Sequence, residues 1–363
     1  MILFRALGGL MADKKKKNAV KKIAKGLGVR RRKRSAIPIF ILVLLMIAAL
    51  CIALVLDLAG IVDIFNISKG PTYTVTGGTV ELHMINMGQG DSILILAPEG
   101  NILFDAGKDS TESETAVRSY LDNLGIEKLD YVVFTHPDED HIGGADMIIR
   151  SYEIGTVFME KYTYPEETSH YTDLMAELNK KGIEPVDPDA NYTFTIGELH
   201  LKVLGPVGEN SKESDQKNNN SIVMRLDFGE SSFLMTGDAE KEAENTLLET
   251  YSAAELDCDV LKVGHHGSNG SSTKKFLEAV TPEISIISCK AGNRYNHPGA
   301  DTLERLEDIG SEIYRTDEDG HIVLVSDGTE IKVKSLDGVV LVLPLPTVRL
   351  EAYDFRYYLL TRV

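Results

Sequence analysis

The stretch Thr135-His136-Pro137-Asp138-Glu139-Asp140-His141-Ile142-Gly143-Gly144 carries two imidazoles and three carboxylates in six consecutive residues. The apolar run before it, Leu129 to Phe134, predicts a buried strand. The two glycines at its end allow the backbone to turn sharply. Imidazole and carboxylate groups bind small divalent cations. The stretch therefore predicts metal ligands held on the rigid end of a strand.

Four further segments place polar, metal-competent side chains beside an apolar run or in a turn. They are Thr236-Gly237-Asp238, Gly264-His265-His266-Gly267-Ser268, Asn293-Arg294-Tyr295-Asn296-His297-Pro298 and the turn Asn218-Asn219-Asn220-Ser221. Each has a simple structural explanation when taken alone; Asp238, for example, could cap a helix that begins at Ala239. Together they offer more ligands than one ion can bind. The sequence therefore predicts two divalent ions about 3.5 to 4 Å apart, with a carboxylate between them.

Strand-like runs alternate with amphipathic helical windows between Val80 and Val333. The predicted strands are 81–87, 92–96, 101–105, 131–134, 200–204, 221–227, 232–235, 260–263, 284–288, 322–325 and 331–333, and the predicted helices are 112–123, 171–181, 239–251, 273–280 and 301–309. A hairpin is predicted around Phe228-Gly229-Glu230. This pattern predicts a mixed α/β (α+β) domain with a two-sheet core and helices outside.

The N-terminal charge differs strongly from that of the rest of the chain. Residues 1–36 hold thirteen Lys or Arg and one acidic residue, a net charge of +12, so the remainder carries −29. The 21 residues 36–56 are uncharged, and a helix of them would span roughly 30 Å. They predict a single transmembrane helix in the cell membrane, with the N-terminus cytoplasmic and the following domain extracellular. A cleavable signal peptide is the alternative, but the basic region and the apolar run are both longer than usual for one.

These patterns divide the chain into five parts. They are a basic cytoplasmic segment (1–35), a transmembrane helix (36–56), a linker (57–78), a globular domain (79–335) and a C-terminal extension of unknown role (336–363). The basic segment is expected to contact anionic lipid headgroups. Cys258 and Cys289 lie in or beside strand-like runs, which predicts two buried free thiols rather than a disulfide bond.

The order and spacing of the polar segments resemble the metallo-β-lactamase superfamily. The matching motifs are His136-x-Asp138-x-Asp140-His141-Ile142-Gly143-Gly144, Thr236-Gly237-Asp238, Gly264-His265-His266-Gly267-Ser268 and Tyr295-x-His297-Pro298. More narrowly, they resemble the hydrolase domain of ComEC-type DNA-uptake competence proteins, as do Met87 to Ser92 and Leu103 to Gly107. The resemblance covers about residues 79–335. It implies a four-layer αββα sandwich with a dinuclear metal site along one edge.

The resemblance also implies a ligand set. His136 would bind the first ion, with Asp138 where many relatives carry a histidine. Asp140 and His141 would bind the second ion, and Asp238 would bridge the two. The adjacent pair His265 and His266 would complete the second position, with His265 as the preferred ligand.

For catalysis the resemblance implies Asp138 and Asp238, which would orient the nucleophile, and His297 as phosphate binder or proton donor. The residues expected to face the substrate are His266, Ser268, Asn220, Ser221, Arg294, Tyr295 and His297.

Two features depart from the relatives. No histidine lies where they place a ligand between the first motif and the bridging aspartate, and the candidates His170 and His200 do not follow the pattern. The first ion would then be held weakly or through water, and the larger share of oxygen ligands makes Mn²⁺ suitable beside Zn²⁺. ComEC-type importers also carry a multi-spanning channel, whereas this chain has one predicted span. DNA transport would therefore need a separate channel or envelope partner.

Several other polar residues are interpreted as structural. Asp91 and Asp105 lie within two residues of a glycine at strand ends, which favours turn formation over metal contact. Glu139 is expected to be a solvated neighbour of the ligands. The single histidines His83, His200 and His321 are expected to take no part in chemistry.

The resemblance implies a hydrolase in which a hydroxide held between two divalent ions attacks a phosphoryl or acyl group. The leading hypothesis is a membrane-anchored, outward-facing phosphodiesterase or nuclease, with DNA as a candidate substrate. The alternatives are a cell-envelope phosphoesterase for phosphocholine or teichoic-acid groups, and an inactive, metal-stabilised envelope binding module. The charge of −29 argues weakly against nonspecific DNA binding. This argument is weakened by basic residues near the predicted site, which are Lys262, Lys274, Lys275, Lys290 and Arg294.

Overall fold

The computed structural model describes Tyr73, Val75 and residues 77–160, 168–207 and 217–336. Residue contacts divide the chain into two units, Met1–Ser68 and Lys69–Val363, and all described residues belong to the second. The predicted basic segment, the predicted transmembrane helix and the extension after residue 336 lie outside the described residues. Among the described ranges, no helix is long and apolar enough to cross a membrane.

Two mixed sheets form the centre of the domain. Their strands, in chain order, are β1 (Val80–Met84), β2 (Ile93–Ala97), β3 (Gly100–Phe104), β4 (Lys128–Phe134), β5 (Glu153–Met159), β6 (Thr193–Ile196), β7 (Leu199–Gly205), β8 (Val223–Phe228), β9 (Ser231–Met235), β10 (Val260–Lys262), β11 (Ile284–Ile287), β12 (Glu312–Arg315), β13 (His321–Ser326) and β14 (Ile331–Leu336). The first sheet has the order β14-β13-β1-β2-β3-β4-β5, and the second has the order β12-β11-β10-β9-β8-β7-β6. Each sheet therefore contains seven strands.

Helices connect and cover the sheets. They are α1 (Thr111–Asn123), α2 (Glu139–Ile142), α3 (Ala145–Ser151), α4 (Ser169–Lys181), α5 (Lys241–Thr250), α6 (Ala253–Leu256), α7 (Lys274–Val280), α8 (Ala300–Asp308) and α9 (Thr316–Asp319). Asn218–Asn220 and Gly264–Gly267 form short 3₁₀ turns. The Ser110 side chain caps α1 by accepting a hydrogen bond from the backbone of Ser113, as expected of serine at a helix start.

Three buried apolar layers show how the elements stack. In β2, Ile93 and Ile95 face the layer between the two sheets, whereas Leu94 and Leu96 face helices on the outside of the first sheet. This alternation follows from the two-residue period of a strand. A third layer lies between the second sheet and helices α5, α7 and α8, where Leu277 is fully buried. The domain is thus an α/β sandwich of helix, sheet, sheet and helix layers.

The predicted two-sheet α/β core is confirmed, and so is the hairpin at Phe228-Gly229-Glu230, where β8 and β9 pair antiparallel. Cys258 and Cys289 are free and buried, as predicted. The sequence prediction missed strands β5, β6 and β12 and helix α3. Three of the seven residues of β5 are buried, all at its end, so its sequence lacks the regular alternation that identifies a half-buried strand.

Helix α7 offers a matched test of the outer layer. We expect Leu277→Ala to lower the free energy of unfolding by about 2 to 5 kcal/mol, because it removes a fully buried side chain and leaves a cavity. The neighbouring exposed change Lys275→Ala should alter it by no more than about 0.5 kcal/mol. Urea denaturation measures both, and equal effects would show that α7 does not pack as described.

Candidate metal centre

The polar segments lie at the ends of strands that run in the same direction. Strand β3 pairs parallel with β4, and β10 pairs parallel with both β9 and β11. The carboxyl ends of parallel neighbours meet at the same edge of a sheet. The residues that follow these strands therefore come together; they include Asp105, His136 to His141, Asp238, His265, His266 and Ser288.

The buried carboxylate of Asp238 lies at the centre of this cluster. Its Oδ2 atom is 3.2 Å from Nε2 of His141, 3.4 Å from Nε2 of His266 and 3.8 Å from Nε2 of His265. The Oδ2 atom of Asp140 lies 3.4 Å from the same nitrogen of His266. Four sets of side chains with close ligand atoms result among the described residues; two of them are Asp140, His141 and His266, and His136, His141 and Asp238.

The residues present fit a divalent-metal centre. The Nε2 atoms of His136, His141 and His266 are buried and have no hydrogen-bond partner among the described residues. Unpartnered buried polar atoms are costly unless a ligand satisfies them. The opposite nitrogens of two of these rings are held, His141 Nδ1 at 2.7 Å from Asp105 and His266 Nδ1 at 2.9 Å from the Ser288 carbonyl. Proteins commonly orient metal-binding imidazoles in this way.

The structure favours His266, not His265, as the ligand. His266 is buried between Asp140 and Asp238. The side chain of His265 is 26% exposed, and its Nδ1 atom lies 2.6 Å from Oε1 of Glu240. We therefore expect His266, rather than the predicted His265, to be the ligand. The two side chains leave the turn in different directions, one toward the interior and one toward the rim.

The conformation of the turn explains this separation. The φ angles of His265 and His266 are +46° and +51°, in the left-handed region that non-glycine residues rarely adopt. Ser271 Oγ donates to the carbonyl of Gly264 at 2.6 Å, and Arg305 donates to the carbonyl of Ser271 at 2.9 Å. Contacts from Ser271, just before α7, and from Arg305 of α8 thus hold a strained backbone at the site.

The position around His136 has fewer close ligands. Asp138 Oδ2 is 4.0 Å from His136 Nε2, and the Asp138 side chain is 37% exposed and lies 3.5 Å from Lys217 Nζ. Ser221 Oγ lies 3.4 Å from His136 Nδ1 and accepts a hydrogen bond from the Asp238 backbone. Among the described residues, no group able to hold a metal includes His170 or His200. A serine hydroxyl therefore lies beside His136.

Two residues expected to face the substrate are buried instead. Asn220 is 3% exposed and Ser221 is 1% exposed. Both residues lie at the short turn Asn218–Asn220, on the inner side of the site. The Asn219 carboxamide oxygen in this turn accepts hydrogen bonds from the backbone at the start of α5. We therefore expect them to support the site rather than to contact substrate.

Asp91 and Asp105 also belong to the site, contrary to their interpretation as turn residues. Asp105 Oδ2 contacts His141 Nδ1 at 2.7 Å, and Asp91 Oδ1 lies 3.3 Å from His266 Nδ1. Asp105 fixes the orientation of the His141 imidazole, whereas Asp91 lies beside the His266 imidazole, whose Nδ1 atom bonds to the Ser288 carbonyl. Gly90, which precedes Asp91, has a φ of +125°. A Cβ atom at this position would lie 2.3 Å from the Asp140 carbonyl oxygen, so a residue larger than glycine does not fit. The sequence does indicate that Asp105 lies near the ligands, because Asp105 follows the apolar run of β3 as His136 follows that of β4.

The remaining predicted non-catalytic histidines have other surroundings. His83 bonds to Glu81 at 2.9 Å and to the Tyr120 hydroxyl at 2.7 Å, and His321 accepts from the Asn86 backbone. None of the metal-competent groups among the described residues contains His83, His200 or His321. Glu139 is a partly exposed neighbour that pairs with Lys108 at 3.5 Å.

The buried charges shift one another's pKa values. Burial lowers the pKa of His266, but the charges of Asp238 and Asp91 outweigh it and raise the pKa to about 10. Burial raises the pKa of Asp238, but the charges of His141, His266 and Lys262 outweigh it and keep the pKa well below its usual range. Without a cation the carboxylates therefore hold protons on nearby imidazoles, and metal binding must release them.

The rim of the site is aromatic and cationic. The Tyr295 ring, 46% exposed, stacks on His297 at 5.7 Å, and the His297 ring lies 5.1 Å from that of His265. The Arg294 guanidinium lies 4.7 Å from the Tyr295 ring. Burial and the charges of His265 and His266 lower the pKa of His297 to about 4, so its ring is neutral at pH 7. The rings of Tyr295, His297 and His265 therefore lie next to one another in a row that leads from the protein surface to Asp238.

Comparisons with known sequences agree with this geometry. Residues 85–291, more than half of the chain, match the sequence profile of the Metallo-beta-lactamase superfamily. ComE operon protein 3 of Bacillus subtilis is 31% identical over 258 residues, which are 67% of this chain and 32% of that protein. Recombination protein 2 of Haemophilus influenzae is 28% identical over 248 residues, 67% of this chain and 28% of that protein. The chain thus spans about a third or less of the length of these curated relatives.

Solved structures show similarity as well. The metallo-beta-lactamase fold protein YhfI from Bacillus subtilis aligns with a TM-score of 0.42 and 11% sequence identity, covering 65% of this chain and 95% of that one.

The adjacent histidines give a matched test of the ligand assignment. We expect His266→Ala to weaken the binding of Mn²⁺ or Zn²⁺ by at least about 100-fold, because it removes a buried nitrogen aimed at Asp140 and Asp238. His265→Ala should weaken it by less than about tenfold. Isothermal titration calorimetry measures both affinities. A larger loss in His265→Ala would restore His265 as the ligand.

Proposed function

The chain belongs to the metallo-beta-lactamase superfamily, and we propose that it is a metal-dependent phosphodiesterase of the ComEC-like type. One observation carries the proposal. The imidazoles of His141, His265 and His266 converge on a single oxygen of Asp238, beside a rim that is open to solvent at Tyr295. Such an arrangement would hold cations at Asp238 and leave them accessible to a charged substrate from the rim.

Divalent ions, Zn²⁺ or Mn²⁺, would supply the positive charge that activates water and stabilises a reacting phosphoryl group. His136, Asp140, His141, Asp238 and His266 would hold two such ions. Asp138, at the rim and partly exposed, would accept a hydrogen bond from the attacking water. His297, whose Nδ1 atom has no partner among the described residues, would bind the phosphoryl group or the leaving oxygen.

The rim supports a phosphodiester over an uncharged substrate. Lys217 lies 3.5 Å from Asp138, and the Arg294 guanidinium lies 4.7 Å from the exposed Tyr295 ring. Cationic side chains bind phosphate oxygens by charge-assisted hydrogen bonds. Curated relatives are named for competence and recombination, which is consistent with nucleic acid as the substrate of this chain too.

The exposed Tyr295 ring with Arg294 above it favours a nucleotide over an envelope phosphoester. Stacking on an aromatic ring contributes about 1 to 3 kcal/mol per base and does not depend on base identity. A phosphocholine or teichoic-acid group offers no base to stack. We therefore place single-stranded DNA first among candidate substrates.

The same proposal includes a location. Residues 36–56 would anchor the chain in the cell membrane, and the basic segment before them would keep the N-terminus in the cytoplasm. The hydrolase domain would then face outward. A separate channel or envelope partner would take up the products.

We expect the full-length protein, purified in detergent and loaded with Mn²⁺ or Zn²⁺, to hydrolyse bis(p-nitrophenyl) phosphate and single-stranded DNA. Asp238→Ala should reduce both activities by at least about 1,000-fold, because it removes the carboxylate on which the imidazoles converge. Release of p-nitrophenol and gel analysis of labelled DNA measure the two reactions. An absence of turnover with any metal, despite two bound ions, would leave only a binding module.

Tyr295→Ala tests the class of substrate. It should lower kcat/KM for single-stranded DNA by about 10- to 100-fold, the loss of one stacked base, and leave the small diester within about threefold. Tyr192→Ala is the matched control, since Tyr192 is similarly exposed at 42% but belongs to the aromatic group around Phe158 and Phe194. Cleavage of the small diester without any cleavage of DNA would point to an envelope substrate.

A further inference from the structure

We propose that Lys262 is a positioning residue that restricts Asp238 to binding metal through one carboxylate oxygen. The inference rests on the proposed metal centre and deepens it. It concerns the only lysine side chain among the described residues that is fully buried, with 1% exposure at the end of β10. Burial of an ammonium group is costly unless its charge and its donors are matched.

The environment of Lys262 matches all three donors of its ammonium group. Nζ lies 2.5 Å from Asp91 Oδ2, 2.5 Å from the carbonyl oxygen of Gly237 and 3.3 Å from Asp238 Oδ1. An ammonium group has three donors and no acceptor. The geometry therefore leaves Lys262 no hydrogen to offer to a substrate, which separates it from the basic residues of the rim.

The two oxygens of Asp238 consequently have different surroundings. Oδ1 faces the Lys262 ammonium, whereas Oδ2 faces the Nε2 atoms of His141 and His266 at 3.2 and 3.4 Å. With Oδ1 engaged, Asp238 offers the cations Oδ2 alone. A carboxylate free of this contact could rotate and bind one cation through both oxygens, which would raise the coordination number and occupy space needed by water.

Lys262 also accounts for why Asp91 acts on an imidazole and not as a ligand. Asp91, Asp238 and His266 are close enough to form a metal-competent group by themselves. The ammonium of Lys262 lies against Asp91 Oδ2 and Asp238 Oδ1 and places a positive charge beside this group. A positive side chain in this position directs the metals to the other side of Asp238.

Loading the full-length protein with Co²⁺ tests the inference, because Co²⁺ absorbs visible light strongly in low coordination and weakly in high coordination. We expect Lys262→Met, which keeps most of the side-chain volume, to bind Co²⁺ with a clear loss of visible absorption intensity. Lys275→Met is the matched control, since it makes the same change at an exposed lysine of α7. Its spectrum should stay at the intensity of the unmodified protein.

Removing one member of a buried ion pair can unfold a protein, so the double change Asp91→Asn with Lys262→Met is the second variant. It removes both charges of the closest pair and frees Asp238 Oδ1, and we expect it to show the reduced intensity as well. A merely structural ion pair would change thermal stability and leave the spectrum of the folded protein unaltered. Folded Lys262 variants with an unchanged spectrum would overturn the inference.

The test separates this inference from the proposed function. A spectral change without phosphodiester hydrolysis would overturn the function and support the role of Lys262. Hydrolysis with an unchanged spectrum would do the reverse. If the unmodified protein bound no Co²⁺, Zn²⁺ or Mn²⁺, both would fall together.

Discussion

Balance of charge at the shared edge of the two sheets is the constraint on which the site depends. Asp91, Asp105 and Asp238 are buried together with His136, His141, His266 and Lys262. Water cannot stabilise these groups there, so each must be stabilised by its neighbours. The contacts show the result, since every one of the three carboxylates faces an imidazole or the ammonium. The remaining unsatisfied nitrogens all point toward the same space, which a cation fits.

The fold supplies this edge through parallel pairing. Strands β3 and β4 in one sheet, and β9, β10 and β11 in the other, end in the same region, so residues far apart in sequence meet without long loops. The layer of apolar side chains between the sheets holds the two sets of strand ends next to each other. Function on this scaffold is a property of the loops, and the sandwich itself would support other chemistry equally well.

The sequence predicts the two-sheet class and most of the ligand cluster because both depend on local patterns. Apolar runs identify strands, and metal-competent residues directly after them identify the edge. The choice between His265 and His266 was beyond such patterns, because it depends on two left-handed φ angles that the sequence does not specify. The roles of Asp105 and Lys262 depend on partners 36 and 24 residues away, His141 and Asp238, which only the folded chain brings close. Strand β5 was missed because tertiary pairing with β4, not its own periodicity, forms it.

The strained turn at His265 and His266 has a consequence for redesign of this site. One local backbone conformation sends one imidazole to the interior and the next to the rim, where it meets His297 and Glu240. A single peptide bond therefore connects His266 at the ligand cluster with His265 at the rim, so the positions of the two side chains depend on the same backbone conformation. A change of loop sequence that relaxes the turn would disturb both at once.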